Sequence, residues 1–197
     1  TEAFQVTKDP EYARVVRETL NFVLAEMQSN AGGYFSAIDA DSEGVEGKFY
    51  VFSLEEIQGL LSPEQADAFC GYYNVSAGGN WEGTNILNTP LSSAVVAQIT
   101  GLDEPTLEAR LDEARGIVLA ARNQRERPLT DDKVLVGWNA LMISTMAEAA
   151  RVFGEPAYLE SARRAAAFIA EKLTLADGRL LRTARGDQAH LAAYLED

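Results

Sequence analysis

Two stretches of this chain carry one pattern at a constant spacing of 146 residues. "DPEYARVVRETLNFVLAEMQSNAGGYFS", from Asp9, aligns without a gap on "EPAYLESARRAAAFIAEKLTLADGRLLR", from Glu155. Pro10 meets Pro156, Tyr12 meets Tyr158, Arg17 meets Arg163, Phe22 meets Phe168 and Gly32 meets Gly178. Apolar Tyr34 and Phe35 meet Leu180 and Leu181. In the first copy Asp9 is a capping residue and Pro10 suits the first helical position. Tyr12, Val16, Leu20, Val23 and Met27 then recur at helical spacing. "NAGG" ends the helix, and a short apolar segment follows. The unit reads helix, glycine turn, strand, and it is used twice. Such a unit cannot bury its apolar face alone. The pattern therefore points to a mainly α chain of helical hairpins in a repeating array, with short strands inserted at the turns.

Other elements fill the space between the copies. "YFSAI" and "KFYVFS" are rich in aromatic and β-branched residues and predict a β-hairpin around the acidic segment between them. Ser53 with Glu56, and Ser62 with Gln65, are capping-box pairs that open two helices. Helices are predicted around residues 92–99 and 105–123, and a short extended piece around 85–87. The segment 133–153 predicts a helix with Trp138, Leu141, Met142, Thr145, Ala149 and Val152 on one side. Residues 156–173 predict another, followed by a turn and short strand in "DGRLLRTA". His190 falls in an Ala-rich stretch read as helical.

Charge and composition narrow the chemistry. The formal net charge is -13, which repels nucleic acid and anionic membranes and discounts both as partners. Arg122, Arg125 and Arg127 are the local basic concentration. Cys70 is the single cysteine, so an internal disulfide, a CxxC redox pair and a Cys-based zinc site are excluded. His190 is the single histidine, which leaves little room for Ser-His-Asp or His-rich metal chemistry. No metal and no cofactor is predicted. Apolar runs fall short of the roughly 20 residues that span a bilayer. A reduced, cytoplasmic setting fits this reading. The start at Thr1 without Met and the ending "AAYLED" suggest a piece of a longer protein.

The segment "SAIDADSEGVEGKFYVFS" concentrates Asp39, Asp41, Glu43 and Glu46. Asp39, Asp41, Glu43 and Gly44 fit positions 1, 3, 5 and 6 of a calcium-binding EF-hand loop. Position 12, which needs a bidentate Glu, is Tyr50, and "KFYVF" reads as a strand rather than the required helix. Calcium is therefore disfavoured. Two readings stay open. Paired carboxylates can divide acid and base roles, as in sugar hydrolysis. Alternatively, this is an acidic hairpin tip whose Asp side chains cap backbone N–H groups.

Several motifs occur together in order: "GGYFSAIDADSEGVEGKFYVFSLEEI", "GNWEGTNIL", "RPLTDDKVLVGWNALMI" and "YLED". Together they resemble the spermatogenesis-associated, thioredoxin-domain-containing family over nearly the whole chain. The resemblance implies an N-terminal thioredoxin-like domain, absent from this sequence, and an (α/α)6 toroid similar to N-acylglucosamine 2-epimerases and six-hairpin glycosidases. Residues 1–197 would then be a fragment of the toroid domain, with short β-hairpins at its rim turns. About seven predicted helices make this roughly half to two thirds of the toroid, so exposed helix faces and self-association are expected. Two departures stand out. Ala140 follows the Trp-Asn pair where Gly is expected, and "PLTDDK" lacks the basic or histidine residue often found before the Asp pair.

The resemblance turns the polar motifs into candidate sites around a central hollow. Asp39, Asp41 and Asp132 are the candidate acid/base residues. Glu43, Trp81, Glu82, Lys133, Trp138 and Asn139 are candidate substrate-binding residues. Asp131 and Asp132 are also natural caps for the following helix. Lys133 can pair with an acidic-loop carboxylate and set its pKa. Trp138 can stack on a sugar ring or belong to the core. Trp81 and Glu82 sit between Gly79 and Gly83 on a tight loop. His190 would be the proton-transfer residue of an epimerase, although a lone His is more readily structural. Cys70 reads as a small buried residue. Two functions follow. One is a carbohydrate-active domain using carboxylates. The other is a non-catalytic module that binds a sugar or a protein alongside the missing thioredoxin-like domain.

Overall fold

The computed structural model describes residues 1–195 and residue 197. Among these residues, eight α-helices and seven short strands fall into two compact units. The first comprises Thr1–Ile38 and Thr130–Asp197, and the second Asp39–Leu129.

The repeat organises the first unit. Helix α1 (Glu2–Thr7) precedes α2 (Pro10–Phe22). Asp9 caps α2 by accepting the Glu11 N–H at 2.9 Å. The helix then widens into one π-helical turn, Val23–Met27, and leaves it extended at Gln28. In the second copy, α8 (Pro156–Phe168) widens into Ile169–Leu173 and leaves extended at Thr174. Every one of these boundaries is offset by 146 residues. Bridges Gln28–Tyr34 and Thr174–Leu180 close the two turns at the same offset. The correspondence also runs backward. Helix α1 ends at left-handed Lys8, and α7 (Val136–Phe153) ends at left-handed Gly154. Thus α1 matches the last turns of α7, and the repeated unit includes part of a second helix.

Leu20, Val23 and Tyr34 of the first copy pack with Met146 and Ala149 of α7 and with Tyr158, Ala162 and Ala165 of α8. The alanines let the helices approach while Met146 and Tyr158 fill the space. Each fully buried large apolar side chain contributes about 1.5–3 kcal/mol. Arg17 joins the copies through Glu155 at 2.6 Å. A smaller cluster of Val134, Val136, Phe168, Leu173 and Ala184 lies against an antiparallel sheet. That sheet has the order β5 (Val134–Leu135), β6 (Leu181–Arg185), β7 (Gln188–Ala192).

The copies bury different faces. Helix α8 buries Tyr158, Ser161, Ala162, Ala165 and Phe168. The α2 counterparts Tyr12, Val15 and Phe22 are 45%, 46% and 42% exposed. Helix α2 instead buries Ala13 and Leu20, whose counterparts Leu159 and Ala166 are exposed. Each helix of a head-to-tail array has a side for each neighbour, and two copies cover only one side of each.

The second unit contains α3 (Leu54–Leu60), α4 (Pro63–Tyr73), α5 (Ser93–Thr100) and α6 (Glu104–Arg122). Both predicted capping boxes are formed, by Ser53 with Glu56 and by Ser62 with Gln65. Phe52, Ile57, Phe69, Val75, Ala114 and Val118 form one core cluster. Ala68, Tyr72, Val96, Leu107 and Leu111 belong to another.

Several expectations are corrected. "YFSAI" does not pair with "KFYVFS". Strand β1 (Ala37–Ile38) pairs with β4 (Thr130–Asp131). The acidic segment closes on itself, β2 (Asp41–Ser42) against β3 (Val45–Glu46). Gly47, at φ +74°, turns the chain, and "KFYVF" is not a strand. The guanidinium of Arg125 donates to the carbonyls of Lys48, Phe49 and Val51 at 3.1, 3.1 and 2.7 Å, doing the work of a neighbouring strand. The segment is a turn instead of a strand, but it is still not the helix that an EF-hand requires, so its conformation and Tyr50 at the twelfth position both stand against calcium. Asp131 and Asp132 do not cap α7, which starts at Val136 without a side-chain cap. Pairing of Val134 and Leu135 with β6 keeps that stretch extended. His190 lies in β7 opposite Thr183, not in a helix.

Candidate functional site

In the first unit, strands β1, β4, β5 and β6 and the start of α7 surround a cleft of about 340 Å³ whose lining mixes charged and apolar side chains. Its lining includes Ser36, Asp131, Lys133, Trp138, Arg182 and Thr183. Trp138 is 60% exposed, so it does not belong to the core. The predicted apolar stripe of α7 is turned outward at Trp138, Leu141 and Thr145, while Val136, Asn139, Met146 and Ala149 are buried. Trp138 also lines an adjoining, more apolar groove with Phe22, Met27, Tyr34 and Met142. The indole thus stands between a recess that carries charged side chains and one that carries none.

The charged groups of the cleft are paired. Lys133 Nζ lies 3.0 Å from Asp131 Oδ2, and the Lys133 N–H donates to Asp131 Oδ1 at 3.4 Å. The hydrogen bond from Lys133, aided by one with Ser36, holds the Asp131 carboxyl below its ordinary value of 3.8. Arg182 meets the carboxylate of Asp197 at 3.0 Å. Asp132 is held by Arg185 at 2.6 Å. Lys133 therefore pairs with its own neighbour, not with the acidic loop. Thr183 Oγ1 is buried and has no hydrogen-bond partner. A hydroxyl in the cleft can satisfy it.

Asn139 is a positioning residue here. It is 2% exposed, and its Oδ1 accepts the Tyr34 N–H at 2.7 Å. Its Nδ2 donates to the carbonyls of Tyr34 and Leu135 at 3.0 and 2.9 Å. The amide is thereby engaged in fastening the first glycine turn to α7. Tyr34 completes the join through its hydroxyl, 2.5 Å from Ser161 Oγ.

The second unit brings the acidic hairpin beside the Trp81 turn. A Cβ at Gly47 would stand 3.8 Å from Trp81 Nε1. Trp81 is 39% exposed and is presented as expected, on a turn with left-handed Glu82 and Gly83. Gly79 (φ +67°) is required at this turn, because its Cβ would lie 2.3 Å from the Thr84 carbonyl oxygen. Asp39 Oδ1 accepts the Asp41 N–H at 3.2 Å, an Asx turn. Glu43 pairs with Lys48 at 2.6 Å. Among the described residues no group of three or more His, Cys, Asp or Glu could hold a metal ion.

Asp39, Asp41, Glu43, Trp81 and Glu82 thus belong to the second unit, and Asp132, Lys133, Trp138 and Asn139 to the first. Sequence reasoning missed Asn85, which is fully buried and clamps Ser76 and Phe52 through its amide. It also missed Thr183 and Arg182, whose approach to Trp138 depends on the β5–β6 pairing. The signal for Asn85 was an Asn directly before the apolar pair Ile86 and Leu87 in "TNIL". Burial and Asp67 push the half-buried Cys70 thiol up, as suits an inert packing residue. No helix among the described residues is long and apolar enough to cross a membrane.

No protein-family model matches the chain. The chain is similar to spermatogenesis-associated protein 20 of Homo sapiens, with 30% identity over 93% of this chain and 27% of that protein. The Mus musculus protein of the same name is 29% identical over 93% of this chain and 26% of its own length. An uncharacterised Caenorhabditis elegans protein is 29% identical over 80% of this chain and 25% of its own length. These relatives support the family that the motifs resemble. The chain spans about a quarter of the length of the curated relatives it matches.

Proposed function

We propose that this relative of spermatogenesis-associated protein 20 is a piece of an α/α toroid that binds a saccharide at the Trp138 cleft without acting on it chemically. The observation that carries the reading is Trp138 itself, a 60% exposed indole beside the unsatisfied hydroxyl of Thr183. A sugar presents C–H faces for stacking and hydroxyls for polar partners, and this cleft supplies a surface for each. Asp131, Lys133 and Arg182 are already organised by ion pairs, so they are held in place for hydrogen bonding to a ligand.

An acid/base role asks for carboxylates that face the ligand and are free to exchange a proton with it. The candidates are placed otherwise. Asp132 pairs with exposed Arg185, Glu43 pairs with Lys48, and Asp39 caps its own turn. That favours binding over turnover. The toroid reading draws support from the repeat, because the uncovered side of α2 and the uncovered side of α8 ask for further hairpins. The rest of a longer protein, including a thioredoxin-like domain, would be its covalent partner.

Titrating the chain with a panel of neutral mono- and oligosaccharides, read by isothermal titration, tests the proposal. Saturable binding is expected, with Trp138→Ala weakening it by at least about tenfold, or ~1.4 kcal/mol. Binding that is equal after Thr183→Val and unchanged by Trp138→Ala would sink the assignment.

A further inference from the structure

The second unit holds a separate cleft, of about 270 Å³, between α4 and α6. Tyr50, Phe52, Phe69 and Tyr73 line it with aromatic surface, and Leu87 and Val118 add aliphatic surface. Two cations, Arg115 and Arg122, enter from α6. They are seven residues apart, about two helical turns, and so share one face of the helix.

The two arginines are in different states. Arg115 is committed to Asp112, and its Nη1 donates to the Tyr73 hydroxyl at 3.4 Å. Arg122 has no ion pair among the described residues. Its guanidinium lies 5.0 Å from the Phe49 ring centroid and 6.0 Å from that of Tyr50, and Nη2 donates to Asn123 Oδ1 at 3.1 Å. Its Nε–H is buried and has no hydrogen-bond partner. This happens in a chain with 30 acidic and 17 basic residues, where carboxylates are in surplus. A buried guanidinium N–H without an acceptor is costly, and a planar anion is the acceptor that matches it.

We propose that this cleft binds a compact carboxylate with a flat apolar body, in the chemical class of arylalkanoates. The carboxylate meets Arg122, and the ring lies among the aromatic side chains. The volume sits just under the ~300–1,000 Å³ of drug-sized sites, which selects a single ring rather than a fused system. Nothing in this assignment depends on the saccharide reading, since every residue in it belongs to the second unit.

The test uses the 197-residue chain and three probes: phenylacetate, its neutral isostere phenylacetamide, and acetate. Affinity is read by isothermal titration and by ligand-observed NMR. Phenylacetate is expected to bind at least about tenfold more tightly than either phenylacetamide or acetate, because one lacks the charge and the other the ring. Arg122→Gln should abolish the preference for phenylacetate over phenylacetamide, with helical circular dichroism unchanged. Arg122→Lys keeps the charge but loses the planar fork. It should weaken phenylacetate several-fold and leave phenylacetamide unmoved, and it decides the matter if the Gln variant does not fold. Equal binding of the acid and the amide, no binding of either, or undiminished phenylacetate binding by both variants overturns the proposal.

Discussion

Tyr34 shows how much of this molecule rests on single polar contacts. It sits in the first glycine turn, 4% exposed, with its backbone held by Asn139 and its hydroxyl by Ser161. Burial raises the Tyr34 phenol above its ordinary value of 10.0, with the Ser161 bond and Arg164 pulling the other way. The neutral form is thus the one the fold favours. Its contribution is fully present below the unfolded value and is lost as pH rises through the folded one. Tyr34→Phe is expected to cost about 1 kcal/mol near neutrality, because Ser161 keeps its bond to Gln28. The gap between the two proteins should narrow at alkaline pH, since the variant has no phenol to ionise. Urea unfolding between about pH 8 and about pH 11 measures both effects. A gap that stays constant or widens would contradict this account.

The repeated turns give a paired comparison one level up. Gly32 and Gly178 occupy the same place in the two copies, and both have positive φ, +114° and +84°. They differ in their surroundings. A Cβ on Gly32 would stand 2.5 Å from the backbone oxygen of Arg164, whereas one on Gly178 meets nothing within 4 Å. Gly178→Ala should therefore pay only the conformational cost, about 1 kcal/mol. Gly32→Ala adds a collision with rigid backbone and is expected to cost about 2–4 kcal/mol. Denaturant melts of the two single variants decide between this and an environment-free view, in which both cost the same. The turn matters because Tyr34 follows it directly and joins it to α7 and α8.

Taken as a whole, the first unit has two copies and therefore two uncovered sides. The α2 side carries Tyr12, Val15 and Phe22, each more than two fifths exposed. An apolar stripe of that kind promotes association in water. The isolated 197-residue chain is expected to show concentration-dependent association by light scattering, and Phe22→Glu should shift it toward monomer. If the variant associates as strongly as the parent, the stripe is not the contact.

Much of the local architecture was legible in residue order. Asp9 before Pro10, Ser53 with Glu56, and Ser62 with Gln65 set helix starts that the structure reproduces. The 146-residue spacing located both glycine turns to the residue. Such features depend on neighbours a few positions away, so a linear reading contains their causes. The partner of β1, the strand identity of His190 and the side of α7 that faces out depend on residues far along the chain. Arg125 reaching the carbonyls of "KFYVF" is one such long-range cause, and it replaced the predicted strand. The candidate site follows the same division. Trp138 and Lys133 stood out as residue types, but Thr183 and Arg182 joined them only through strand pairing. Capping chemistry is local and therefore written into the order of residues. Which face is buried is decided by what packs against it, and only the folded chain supplies that neighbour.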